Sequence, residues 1–205
     1  MVSRMRLFFL ACLALAGPLV AQTARLEGFA DTGWNTPFAD VKTQLKNLAT
    51  SPNARERVEI LMEEKDKYIL VRRNEILYRY NFYKTPLEVA RLENHELSAE
   101  EHEQTEAVLF HVKVMMPFIE ATAINARLEG NYGKRTRTTV DKETGADIWE
   151  LTGGFVFQWY EPYQSKAYTR TVDYLSSQLA AQIMKEYADY FDAREKLILK
   201  HILLR

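Results

Sequence analysis

The sequence predicts an α+β fold, in which a helix-then-antiparallel-meander unit occurs twice and a long C-terminal amphipathic helix follows. Three observations predict it. Apolar residues recur at three- and four-residue steps behind Thr36-Pro37 and again behind Pro117. Period-two alternation fills the stretches that follow each of them, between polar turns. From Ser176 to Leu204 an apolar stripe runs without a Gly or a Pro.

The N-terminus is expected to be a signal peptide spanning residues 1–21. Arg4 and Arg6 make a positive start, Leu7 to Leu15 is apolar and uncharged, and Leu19-Val20-Ala21 ends in a small residue suited to cleavage. Gly17-Pro18 breaks the apolar run short of the ~20 residues of a spanning helix. Lipidation of Cys12 is the minority alternative, because only Leu7 to Ala11 precede it as an apolar run. Cys12 is the single cysteine, so cleavage after Ala21 leaves a chain without disulfides, thiolate nucleophiles or thiolate metal ligands.

The elements follow in order. Thr36 as N-cap and Pro37 at the first position open a helix, with Phe38, Val41, Leu45 and Leu48 as its stripe. It stops by Ser51-Pro52, since a residue before Pro leaves the helical region. Val58, Ile60 and Met62 then alternate with Glu59 and Glu63, Tyr68 to Arg73 is rich in β-formers, and Ile76, Tyr78, Tyr80 and Phe82 alternate again. These read as a three-stranded meander with turns at Glu64–Lys67 and Asn74-Glu75. Thr85–Glu88 and Ser98–Glu101 resemble capping boxes, so short helical turns are expected there. Val108 to Met116 is read as a strand, with a helix continuing from Ser98 as the competitor.

Pro117-Phe118-Ile119 is expected to start the second helix, which carries Ile119, Ala123, Ala126 and Leu128 towards Gly130. Strands over Thr136–Val140, Ile148–Thr152, Phe155–Tyr160 and Tyr168–Leu175 complete the second meander, with Gly153-Gly154 as a hairpin turn. The domain plan is therefore a signal peptide at 1–21, an α+β domain at 22–175 with halves 28–105 and 106–175, and a C-terminal helix at 176–205. As one helix, that last segment would reach ~40 Å at ~1.5 Å per residue. Its distal stripe, Leu197, Ile198 and Ile202, is the expected interaction surface, for a second copy or for another envelope protein.

Gly33-Trp34-Asn35-Thr36-Pro37-Phe38 with Val41-Lys42 resembles the Trp-Gly-Thr-Pro-Phe-x-x-Val-Lys opening of small secreted bacterial α/β proteins, although Asn35 stands where Gly is usual. Leu128 to Lys134 resembles their Leu-x-x-x-Tyr-Gly-Lys turn, and Trp149-Glu150-Leu151 with Phe155-Val156-Phe157 the strands after it. The resemblance spans residues 28–176. It implies an exported α+β module of the helix-then-meander type found in outer-membrane assembly lipoproteins, and it brings no catalytic residue with it.

Charge narrows the partners. Lys plus Arg number 27 against 28 Asp plus Glu, which leaves no basic excess for nucleic-acid binding. His102-Glu103-Gln104-Thr105-Glu106 would place His102 and Glu106 on one helical face as two metal ligands, with His95 two turns away, but a catalytic zinc needs a third ligand and an open position. Glu150 and Glu161 are a candidate acid–base pair flanking the Gly-Gly hairpin. Ser165, Ser176 and Ser177 lack a nucleophile-elbow context. Lys134-Arg135-Thr136-Arg137 is a small basic cluster that could meet an anionic head group. Tyr78, Tyr80 and Tyr83 with Trp149, Trp159 and Tyr160 could line a sugar-binding face, although strand aromatics are more often core.

No catalytic residue, metal or cofactor is assigned on these grounds. The expectation is a non-catalytic exported protein of the bacterial cell envelope, acting as an interaction or assembly factor through its C-terminal helix, with peripheral membrane contact allowed. A small envelope hydrolase using carboxylates or a His/Glu metal site is one alternative. A carrier holding an apolar ligand between helix and sheet is the other.

Overall fold

A computed structural model describes residues 24–51, 58–84 and 107–203. The expected signal peptide with Cys12, the helical turns of 85–101 and the His95, His102 and Glu106 set lie outside the described residues.

A short hairpin, β1 (Gly28–Phe29) and β2 (Thr32–Gly33), precedes α1 (Phe38–Thr50). Pro37 stands at the helix entrance, and Thr36 turns its hydroxyl back to Gly33 O rather than capping the helix. Then come β3 (Val58–Glu64), β4 (Tyr68–Arg73), β5 (Ile76–Tyr83) and β6 (Val108–Glu120). The second run comprises α2 (Ala121–Tyr132), β7 (Arg137–Thr138), β8 (Gly145–Leu151), β9 (Gly154–Tyr163) and β10 (Lys166–Ser176). Two helices end it, α3 (Ser177–Glu186) and α4 (Ala193–Leu203), with a 3₁₀ turn at Ala188–Tyr190 between them.

The fold is α+β. Eight strands form one antiparallel sheet in the order β3-β4-β5-β6-β10-β9-β8-β7. Read outward from the β6–β10 pair, each side is a four-strand meander introduced by its own helix. That symmetry carries the duplicated pattern, and the Pro-Phe pairs do not. Pro37-Phe38 opens α1, whereas Pro117-Phe118 lies inside β6.

The second helix therefore begins at Ala121, not at Pro117. Strand β6 runs on because its far end still has a partner, with Ile119 opposite Thr169 and Glu120 opposite Tyr168. Pro117 is tolerated there for two reasons. On one side, β5 ends its pairing at Leu77 opposite Met115. On the other, the β10 register shifts between Thr169 and Thr171, an irregularity where a missing N–H breaks no regular ladder. Strand β3, at one end of the sheet, carries a bulge between Ile60 and Met62, and β7, at the other end, is only 2 residues long. Between β8 and β9, Thr152-Gly153 makes the tight turn. Gly153 has φ +89°, and a Cβ on it would lie 2.9 Å from Leu26 O.

The C-terminal segment is helical but not one long helix. It breaks at 187–192 because Asp192 starts a new helix: its Oδ1 accepts from the amides of Arg194 and Glu195, both at 2.9 Å. Glu195 Oε2 answers from the Asp192 amide at 3.0 Å, which completes a reciprocal capping box. Phe191 is buried and pins the connection to the core.

Alternation along the strands divides the core between the two faces of the sheet. Phe38, Val41 and Leu45 of α1, and Leu128 of α2, pack on one face with Tyr80, Val112, Trp149 and Val156. Leu179 and Ile183 of α3, with Ile198 and Leu199 of α4, pack on the other face over Ile148, Phe157 and Trp159. Trp149 is fully buried and donates to Gly133 O at 2.8 Å, and Trp34 is partly buried and donates to Leu26 O at 2.7 Å.

Candidate functional site

Of the concavities among the described residues, two lie over the centre of the sheet, one on each face. The first, of about 420 Å³, is polar. Its floor comes from Tyr68 on β4, Arg79 and Asn81 on β5, and His111 and Lys113 on β6. Its wall is the connection between α3 and α4, with Tyr187, Asp189, Tyr190 and Asp192. A continuous helix would carry these residues away from the sheet, so the break at 187–192 creates the cleft.

Beneath the cleft lies a buried polar network. His111 Nε2 and Asp173 Oδ1 are 3.0 Å apart, and Trp159 Nε1 donates to Asp173 Oδ2 at 2.5 Å. Lys113 Nζ donates to Glu195 Oε1 at 2.7 Å and stands 3.7 Å from Asp192 Oδ2 and 4.0 Å from Asp173 Oδ1. Asn81 Nδ2 sits 3.4 Å from His111 Nδ1, so both ring nitrogens of His111 have partners. The His–Asp pair has the look of a base and its orienting acid. However, no Ser, Thr or Cys lines the cleft among the described residues, and neither imidazole nitrogen is left open to it.

His111, Asp173 and Glu195 also form a candidate ligand set, with donor atoms all within 4.8 Å of one another. By residue type they suit a divalent cation. The cation that the fold brings to them is the Lys113 ammonium, at hydrogen-bond distance from Glu195. We therefore read the cluster as a counter-ion network that fastens α4 to the centre of the sheet.

Its pH signature follows from the shifts. Burial works against the charged form of Asp173, but the His111 imidazole, Lys113 and Trp159 outweigh it and hold the carboxyl below the usual range. Burial also works against charge on Lys113, and Asp173 and Glu195 outweigh it and raise the amine. The contribution of Asp173 is thus complete above its unfolded pKa of ~3.9 and is lost as pH falls through the lower folded value. The contribution of Lys113 is complete below its unfolded pKa of ~10.4 and is lost as pH rises through the higher folded value. Urea midpoints across pH 3 to 11 should show the Asp173→Asn variant losing less stability than wild type on the acid side. Parallel acid limbs in the two proteins would contradict this assignment.

The other residues singled out by sequence do not converge. Glu150 pairs with Arg137 at 2.6 Å beside the β8–β9 turn. Glu161 lies six residues further along β9 than Phe155, the partner of Glu150, or ~20 Å away at ~3.3 Å per residue. In the basic cluster, Arg135 pairs with Asp147 at 3.3 Å and Arg137 with Glu150, so two of its three cations are neutralised within the fold. Ser176 caps α3 and Ser165 sits in the β9–β10 turn. The aromatic set is split between the two faces: Tyr80 and Trp149 are buried on one, Tyr83 and Trp159 on the other. The expected C-terminal residues, by contrast, do meet: Leu197, Ile198 and Ile202 line one groove of about 160 Å³ with Arg137, Thr139, Ile148 and His201, although they differ in exposure. Leu197 is 65% exposed, but Ile198 is 5% exposed within the core and Ile202 packs against the same cluster. A helix of 11 residues whose capping box fixes its orientation turns that side inward.

The second concavity, of about 310 Å³, lies between α2, the β1–β2 hairpin and the opposite face of the sheet. Phe29, Ile76, Val114, Met116, Ile119, Ile124, Leu128 and Val172 give it an apolar body. Phe29 closes one side, with its ring 4.9 Å from that of Tyr174 and 5.9 Å from that of Tyr78. Polar groups gather at one end: Arg127, Asn131, Tyr132 and Tyr174. Burial raises the phenol pKa of both Tyr132 and Tyr174, and the Tyr174 hydroxyl donates to that of Tyr132.

Comparison with protein-family models, with curated proteins and with solved structures gives no match to this chain. Its function is therefore argued from these two sites. Among the described residues no helix is long and apolar enough to cross a membrane.

Proposed function

We propose that this chain is an exported, non-catalytic binding protein of the bacterial cell envelope that carries a small apolar or amphiphilic molecule between α2 and the sheet. The apolar cavity of about 310 Å³ carries the reading. Its size falls at the lower end of the ~300–1,000 Å³ of small-molecule sites, and an apolar body with a few convergent polar groups is their usual chemistry. The charged, apolar, small-residue order of residues 1–21 supports export, as does the resemblance of residues 28–176 to small secreted proteins. A partner-docking role for the C-terminal helix has less support: Leu197, Ile198 and Ile202 share a groove of about 160 Å³, about half the volume of the cavity under α2, and Ile198 is buried in the core.

Displacement of the neutral dye N-phenyl-1-naphthylamine by 1-dodecanol tests the carrier reading. One site per chain is expected. Ile124→Trp, which fills the cavity from α2, should weaken dye binding at least tenfold while the urea midpoint stays close to wild type. Binding that the substitution leaves untouched, or no stoichiometric binding at all, would sink the proposal.

A further inference from the structure

We infer that the cavity is built for an amphiphile with one apolar arm and an anionic oxygen head group, a carboxylate or a phosphate, received by Arg127. This inference rests on the carrier reading. Ile124, Arg127, Leu128 and Asn131 stand at steps of three and four on α2, so one helical face lines the cavity. That face is graded. Ile124 is apolar, and the following turn presents a guanidinium and an amide. The sheet is graded the same way: Met116 and Val172 underlie the apolar end, and Tyr174 meets Tyr132 at the polar end, with rings 6.5 Å apart.

Arg127 is the one charged residue among the described lining residues, and no carboxylate accompanies it. It forms no ion pair among the described residues and is exposed at the rim. It lines the same cavity as the Tyr174 phenol, and its charge opposes there the effect of burial. The α2 C-terminus contributes roughly half a negative charge nearby. The full positive charge of Arg127 exceeds it, and because Tyr174 and Tyr132 share a hydrogen bond, the Tyr132 hydroxyl is the donor they leave beside it. A guanidinium with a hydroxyl donor beside it selects an anionic oxygen group over an ammonium. At about 310 Å³ the cavity suits one short arm, not two.

Four probes with the same twelve-carbon arm test this: dodecanoate, dodecyl phosphate, 1-dodecanol and dodecyltrimethylammonium, each below its micelle-forming concentration at low salt. The expected order has an anion at least tenfold tighter than the alcohol and the ammonium weakest. Whichever of dodecanoate and dodecyl phosphate binds more tightly names the head group. Arg127→Gln should bring the anions to the affinity of 1-dodecanol without changing 1-dodecanol itself, and Arg127→Lys should restore part of the difference. Anions and alcohol binding alike, or anions unaffected by Arg127→Gln, would overturn the head-group inference and leave the carrier reading standing. Binding of none of the four would overturn both.

Discussion

Lys113→Met is expected to destabilise the protein by about 3–5 kcal/mol, the typical consequence of removing one partner from a buried ion pair. The methionine keeps the length and apolar stem of the lysine, so packing changes little. What is lost is the ammonium that stands 2.7 Å from Glu195 and 4.0 Å from Asp173, two carboxylates whose side chains are almost fully buried. Such a cost is a large share of the ~5–15 kcal/mol that holds a domain together. Urea unfolding at pH 7 measures it. Adding Glu195→Gln should recover part of the loss, since glutamine can serve the capping box with Asp192 without bringing a charge. A double-mutant cycle with no coupling, or a single variant with a wild-type midpoint, would show that Lys113 is not the counter-ion of this network.

Ile198→Asp should prevent folding, whereas Leu197→Asp should leave stability within about 0.5 kcal/mol of wild type. These neighbours on α4 differ in what surrounds them: Ile198 is 5% exposed and Leu197 65%. Loss of a buried isoleucine alone removes about 2–5 kcal/mol. An unpaired carboxylate in its place adds several more, and the two together approach the whole stability of a domain. Circular dichroism melts and sedimentation of the two variants decide the matter. A folded Ile198→Asp protein that had lost only self-association would return the C-terminal helix to a partner-binding role.

The meander strands and α1 were legible because each announces itself locally, whereas β1, β2 and the run of β6 past Pro117 were not. Val58 to Glu64 alternates, Asn74-Glu75 turns, and Pro37 marks a helix entrance. The break in the C-terminal segment was harder to see, because Tyr187, Tyr190 and Phe191 continue the apolar stripe across it. A signal was nonetheless present in Asp192-Ala193-Arg194-Glu195, which is a capping box written inside an otherwise helical pattern.

The buried network was not legible. His111 and Lys113 look like ordinary positions in a strand, and their meeting with Asp173 depends on the register that sets Lys113 opposite Asp173 and Leu175 opposite His111. Local periodicity carries no information about a pairing between residues 62 apart in sequence. The cavity had no local signature either, since β1, β5, β6, α2 and β10 each contribute only a few of its walls. Arg127 by itself reads as one more exposed helical cation.

The two ends of the sheet bear on how the molecule behaves in company. Among the described residues the outer strands β3 and β7 have a sheet neighbour on one side only, and unpaired backbone is a template on which further copies can add. At one end, two-residue β7 is too short to seed such growth. At the other, the bulge between Ile60 and Met62 interrupts the β3 ladder, and its glutamates are held in ion pairs, Glu59 with Arg72 at 2.6 Å, Glu63 with Lys42 at 2.6 Å and Glu64 with Lys67 at 2.5 Å. A second β3 laid alongside would meet a kinked ladder lined with charged side chains. Exposed Leu61 and Met62 thus sit on an edge whose ladder is already interrupted, a feature that works against the addition of a further strand.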